Sequence, residues 1–109
     1  MPKFVTIGYG DCAGYDRTPK EVRDAALAHE AELKKRGALI GAAAAPVEVR
    51  NPLAAAVETE NSAYLSSALP VAGFAVIEAP DLSEAIKIVS QTPCAVAQGV
   101  VEVWPLEQA

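Results

Sequence analysis

The clearest pattern of hydrophobic and polar positions lies in the C-terminal third of the chain. Gly73 to Ala79 is a nearly continuous apolar run, rich in branched and aromatic residues, which is typical of a strand. Asp81 and Glu84 have the spacing of a capping box, and apolar residues follow at helical intervals until Pro93. Val100 to Trp104 is again strand-like. This region therefore predicts a strand, a capped helix and a second strand.

The N-terminal part of the chain predicts the same order of elements. Lys3 to Tyr9 has the composition of a first strand. Thr18 and Glu21 form a second capping box around a proline, and we expect the helix that follows to run to Arg36, before a glycine. Ala38 to Ala42 predicts the next strand.

Three intervening stretches are short or lack a regular period. Gly8 to Asp16 is rich in glycine without the spacing of a phosphate-binding loop, so it predicts a flexible rim loop. Val47 to Arg50 and Leu53 to Thr59 flank an Asn-Pro turn signal and predict a small hairpin region. Residues 60–70 are interpreted as a short strand or a loop.

The order of these elements predicts an α+β fold of the ferredoxin-like, split βαβ type, with two helices on one face of an antiparallel sheet. The strands carry apolar residues at successive positions, so both faces of each strand are apolar. Phe74, Val76 and Trp104 all stand at even-numbered positions. Two helices cover only one face of such a sheet. The other face needs a partner, and a homodimer that packs sheet against sheet is the simplest solution.

Composition narrows the class of protein. The 109 residues are 51% hydrophobic and 21% charged, which predicts one globular domain over residues 1–109. The net charge is −5 and no basic run occurs, so nucleic-acid binding is not expected. No apolar run is long enough for a membrane helix, and the N-terminus lacks the hydrophobic region of a signal peptide.

The two cysteines, Cys12 and Cys94, lack the spacing of a metal site. We expect reduced thiols in a cytoplasmic protein that holds no metal and no other cofactor. Folding is then independent of chelators and reductants.

His29 is the one residue whose ordinary pKa suits proton transfer near neutrality. It shares a helix face with Val22, Ala26 and Leu33, at the centre of the first long helix. Two interpretations stay open. His29 is either a general acid or base beside a small ligand, or a core histidine bonded to a backbone carbonyl.

The segments IGYGD, TPKEVRDAALAHEAELKKRG, LIGAAA, GFAVIEAPDLSEAIKIVSQTP and VVEVWPL together resemble the YCII-related (YciI-like, DGPF) family over nearly the whole chain. The resemblance implies a ferredoxin-like domain that pairs into a dimeric α/β barrel. The DGPF motif of one branch is absent, because residues 60–66 read ENSAYLS.

The resemblance also implies a candidate site. His29 matches the family's helix histidine, whereas the aspartate expected before Pro93 is replaced by Thr92. A lyase or dehalogenase-type reaction on a hydroxylated ring is what the resemblance suggests, with His29 as general acid or base. Asp11 and Asp16 are the candidates to orient its imidazole in place of the missing aspartate.

The alternative is a non-catalytic homodimer that binds a small molecule, or an accessory or regulatory protein. Tyr9 and Tyr64 are the candidate ligand-binding residues in that case.

Overall fold

The computed structural model describes residues 1–107, which form six strands and four α-helices. A short 3-10 turn, Pro52–Ala54, lies between the third and fourth strands. The elements follow one another as β1 (Lys3–Tyr9), α1 (Cys12–Arg17), α2 (Lys20–Lys35), β2 (Leu39–Ala42), β3 (Glu48–Arg50), β4 (Glu58–Glu60), β5 (Val71–Glu78), α3 (Leu82–Val89), α4 (Pro93–Val96) and β6 (Val100–Pro105).

The main sheet has four antiparallel strands in the order β2-β5-β1-β6. This confirms the predicted α+β class, and the order agrees with the split βαβ connectivity. β3 and β4 form a separate two-stranded hairpin, as the Asn-Pro turn signal predicted. The sheet of the described chain does not close into a barrel. A dimeric α/β barrel would need the sheet of a second copy, and it stays a prediction.

One face of the sheet packs against the helices. Phe4 pairs with Ile77 across β1 and β5, and both side chains are buried beneath α3. The same register places Thr6 opposite Ala75 on this helix-covered face. The hydrophobic core here consists of Phe4, Ile77, Ala79, Ala85 and Val89.

The opposite face of the sheet, which we call the open face, carries large apolar side chains that no helix covers. Val5 pairs with Val76 and with Trp104, and Ile7 pairs with Phe74, so these residues share this side. Phe74, Val76 and Trp104, which share even-numbered positions in the sequence, therefore lie on the same face of the sheet. Well exposed on this face are Leu39, Phe74, Val100 and Trp104.

The prediction of a flexible rim loop before α2 is wrong, because Cys12–Arg17 forms the short helix α1. Asp11 accepts a hydrogen bond from the Gly14 amide at 2.8 Å, which caps the start of α1. Gly14 is buried and lies so close to the Ala97 carbonyl that a Cβ would clash with it. Local capping and close packing therefore order this glycine-rich segment.

The predicted capping of α2 by Thr18 is also wrong. The Thr18 hydroxyl donates backwards to the Gly14 carbonyl at 2.8 Å, and Pro19 occupies the N-cap position without a side-chain bond. The end of the helix is as predicted, since Gly37 has a φ of 98° just after the Arg36 cap. The cap of α3 is confirmed, because Asp81 accepts from the Glu84 amide at 2.9 Å.

Residues 43–70 form an arm that extends away from the main sheet. Its hairpin strands are short and largely exposed, and residues 61–70 contain no helix or strand. The radius of gyration is 15.8 Å, whereas a compact chain of this length has about 13 Å. The arm and the open face therefore give the single chain more surface than a compact monomer would have.

Candidate functional site

A cavity of about 380 Å³ lies between α2, the segment from α3 to α4, and the helix-covered face of the sheet. We call it the α2 cavity. Its walls are mostly apolar, with Leu27 and Leu33 from α2, Ile88 from α3 and Val101 from β6. Its polar side chains are Thr6, Glu30, Lys34, Thr92 and Cys94.

The cavity exists because the sheet residues beneath α2 are small. Gly8, Gly73 and Ala75 form part of its floor, where larger side chains would fill the space. Phe74 and Val76 alternate with these small residues along β5, and their large side chains lie on the open face. A strand with large residues on one side and small ones on the other thus leaves room under the helix.

Thr6 is the polar residue in the floor of the cavity. It lies on the central strand β1 and is only 5% exposed. Thr6 takes part in none of the side-chain hydrogen bonds of the described chain, where Arg23 Nε is the one fully buried side-chain polar atom without a partner. The Thr6 hydroxyl is therefore not fully enclosed, and a water molecule or a ligand atom in the cavity can reach it.

Glu30 and Lys34 lie one turn apart on α2 at the edge of the cavity, with their charged groups 3.9 Å apart. Cys94, at the start of α4, lies across the cavity with its sulfur against Gly8. Burial raises the pKa of the Cys94 thiol, and the negative charge of Glu30 raises it further. The thiol is therefore neutral at neutral pH and is a poor nucleophile.

His29 bonds a backbone carbonyl, as one of the two sequence interpretations predicted. Its Nε2 donates to the Ile88 carbonyl at 2.8 Å, and Ile88 lies in the last turn of α3, where its carbonyl otherwise accepts only a long bond of 3.5 Å from the Gln91 amide and a contact from the Ser90 amide at the helix cap. A carbonyl only accepts, so Nε2 carries the proton and Nδ1 holds a lone pair in the neutral ring. The bond ties α2 to α3, two walls of the α2 cavity.

His29 lies outside both cavities. It is half-buried, and it lines neither the α2 cavity nor the cavity between α2 and Gln91. Asp11 caps α1, and Asp16 is exposed on the same helix. Neither carboxylate bonds His29 in the described part of the chain, where the Ile88 carbonyl orients the ring instead.

Tyr9 and Tyr64 lie away from both cavities. The Tyr9 hydroxyl donates to Glu102 at 2.5 Å on the open face of the sheet. This hydrogen bond, together with burial and the charge of Glu102, raises the pKa of Tyr9 above its ordinary value. Tyr64 is exposed on the arm, where its ring lies 5.8 Å from the Arg50 guanidinium.

The polar residues of the α2 cavity do not stand out in the sequence. Glu30 and Lys34 are two of several charged residues in the first long helix, and Cys94 lacks the spacing of a metal site. Thr6 lies on the same, buried side of β1 as Phe4 and Gly8. A hydroxyl at such a position predicts either a buried hydrogen bond or a polar site.

Across residues 1–107, no group of three or more His, Cys, Asp or Glu side chains is arranged to hold a metal ion. The helices of this part of the chain are all too short or too polar to span a bilayer.

Comparison with known proteins adds one finding. The sequence model of the YCII-related domain matches residues 3–108. No curated protein matches the sequence.

The bond between His29 and Ile88 predicts a structural effect. His29→Ala should lower the free energy of unfolding by about 1 kcal/mol, because a helix-to-helix hydrogen bond is lost. The exposed neighbour Ala28 provides a control, and Ala28→Ser should have a smaller effect. Urea unfolding followed by circular dichroism measures both, and an unchanged midpoint in His29→Ala would show that the bond does not stabilise the fold.

The bond between Tyr9 and Glu102 predicts a pH dependence. Because the pKa of Tyr9 is raised in the folded protein, the bond stabilises the fold at neutral pH. This stabilisation is lost as the pH rises through the folded-state pKa. The difference in unfolding free energy between wild type and Tyr9→Phe should be constant from about pH 7 to 9 and shrink above about pH 10. A difference that grows above that pH would contradict the assignment.

Proposed function

Since the chain belongs to the YCII-related domain family, we propose that it is a homodimer that binds a small molecule in the α2 cavity. The observation that carries this proposal is the cavity itself, which combines mostly apolar walls with the polar side chain of Thr6 in its floor. Ligand sites in proteins have this character, with volumes from about 300 Å³ and a few convergent polar groups. The volume of about 380 Å³ falls within that range.

The homodimer is supported by the surface that the single chain exposes. Its accessible surface is 7525 Å², whereas a compact monomer of this mass exposes about 5,700 Å². A stable interface removes roughly 800 Å² from each partner. The exposed apolar side chains of the open face are the surface that a second copy would cover, and packing two open faces together would form the dimeric α/β barrel implied by the resemblance.

A second candidate is acid–base catalysis by His29. The hydrogen bond to Ile88 favours it, because it fixes the tautomer and leaves the Nδ1 lone pair as a base. Binding in the α2 cavity ranks first, because His29 does not line this cavity and the aspartate of the family pair is Thr92 here. Lyase or dehalogenase-type chemistry is therefore the second proposal.

A cytoplasmic location is part of the first proposal. Both cysteines are free, with Cys12 exposed and Cys94 half-buried, and exposed free thiols suit a reducing compartment.

Filling the α2 cavity should abolish binding. Ala75→Leu places a larger side chain on its floor, and 1-aminoanthracene is an apolar fluorescent probe of suitable size. Wild type should bind the probe, and Ala75→Leu should weaken binding at least tenfold, whereas Ala55→Leu on the exposed arm should not. Fluorescence titration measures the dissociation constants. Equal binding to wild type and Ala75→Leu would contradict the proposed site.

Disrupting the open face should dissociate the dimer. Wild type should give about twice the chain mass of 11.3 kDa by light scattering at micromolar concentration. Phe74→Glu places a charge on the open face and should give the monomer mass. Ile86→Glu, an exposed position on α3, should remain dimeric. A monomeric wild type would rule out the homodimer.

A further inference from the structure

The polar groups of the α2 cavity restrict the chemistry of its ligand. We infer that the ligand is a neutral, largely apolar compound with a carbonyl or hydroxyl oxygen, and that the Thr6 hydroxyl binds this oxygen. The inference rests on the proposed function, because it concerns the same cavity. It adds a ligand class and a specificity-determining residue.

The position of Thr6 supplies the first argument. Thr6 lies on β1, a central strand of the sheet, opposite Ala75 on β5 and Val103 on β6. Its neighbours on both adjacent strands are therefore apolar. The Thr6 hydroxyl is not among the fully buried, unpartnered polar atoms of the described chain, so water in the cavity can reach it. A ligand oxygen in the cavity can take the place of such a water molecule.

The chemistry of a hydroxyl sets which ligand groups are accepted. The Thr6 hydroxyl can donate one hydrogen bond and accept others, and it rotates to suit its partner. A ketone, an ester or an alcohol therefore satisfies it equally well. A hydrocarbon leaves it unpaired, and a carboxylate brings a full charge into an apolar cavity, where an unpaired charge is far more costly.

The charges at the edge of the cavity supply the second argument. Glu30 and Lys34 are 3.9 Å apart, so the helix presents both signs of charge at one place. An anion bound there meets the Glu30 carboxylate, and a cation meets the Lys34 ammonium. Because the two charges oppose each other and Lys34 is well exposed to solvent, the pair gives little net attraction to either an anion or a cation.

The apolar walls supply the third argument. Leu33 and Ile88 face the floor from α2 and α3, and Val101 borders it on β6. These side chains favour the hydrocarbon part of a ligand over water. The Cys94 side chain adds a weakly polar surface to these walls.

Three probes of similar size separate these requirements. They are 2-acetylnaphthalene, which has a carbonyl oxygen, 2-ethylnaphthalene, which has none, and 2-naphthoate, which is charged. Each is titrated by fluorescence or isothermal calorimetry against wild type, Thr6→Val and Thr6→Ser. Thr6→Val removes the hydroxyl at nearly constant shape, Thr6→Ser keeps it, and Thr59→Val on the arm is the control for the substitution itself.

We expect Thr6→Val to weaken 2-acetylnaphthalene binding by between about twofold and tenfold, the effect of one hydrogen bond. Binding of 2-ethylnaphthalene should be unchanged or tighter in Thr6→Val, which also shows that the cavity is intact. Thr6→Ser and Thr59→Val should bind 2-acetylnaphthalene like wild type, and 2-naphthoate should bind most weakly throughout.

Two failures are distinguishable. If 2-ethylnaphthalene and 2-acetylnaphthalene bind wild type but Thr6→Val weakens neither, or if 2-naphthoate binds best, the ligand class is wrong while the α2 cavity remains a binding site. If none of the three probes binds wild type, the proposed function fails and the ligand class fails with it.

Discussion

The four-stranded sheet has apolar side chains on both faces, but the helices of the chain cover only one of them. This constraint determines most of the structure. A split βαβ connectivity places α2, α3 and α4 on the same side, so Phe4 and Ile77 are buried while Phe74 and Trp104 remain exposed. Large exposed apolar surfaces are unfavourable in water. The open face is therefore the part of the molecule that a second copy is proposed to cover.

The same strand provides both the proposed interface and the proposed ligand site. Along β5, the open face receives Phe74 and Val76, and the helix-covered face receives Gly73 and Ala75. The large side chains give the open face apolar area for an interface. The small residues on the opposite face leave space beneath α2. The bond from His29 to Ile88 then holds α2 to α3 above this space. His29 thus has a structural role in the geometry of the cavity, whether or not Nδ1 takes part in chemistry.

The sequence predicted the elements whose signals are local and left out those that depend on distant contacts. The strands, the Asp81 cap and the end of α2 at Gly37 follow from spacing and backbone preference, and the structure contains them. The helix α1 replaces the predicted loop because Gly14 packs against Ala97, which lies far along the chain, in addition to the local cap from Asp11. The α2 cavity was missed for the same reason. Thr6, Glu30 and Cys94 come from three separate elements, and only the packing of α2 on the sheet brings them together.

We propose that the helix-covered face, and not the open face, binds the small molecule. Nuclear Overhauser effects between bound 1-aminoanthracene and the methyl groups of the wild-type protein distinguish the two faces directly. Binding in the α2 cavity predicts contacts with Leu33, Ile88 and Val101, which line it. Contacts confined to Val5, Val76 and Leu39 would place the probe on the open face and rule out binding in the α2 cavity.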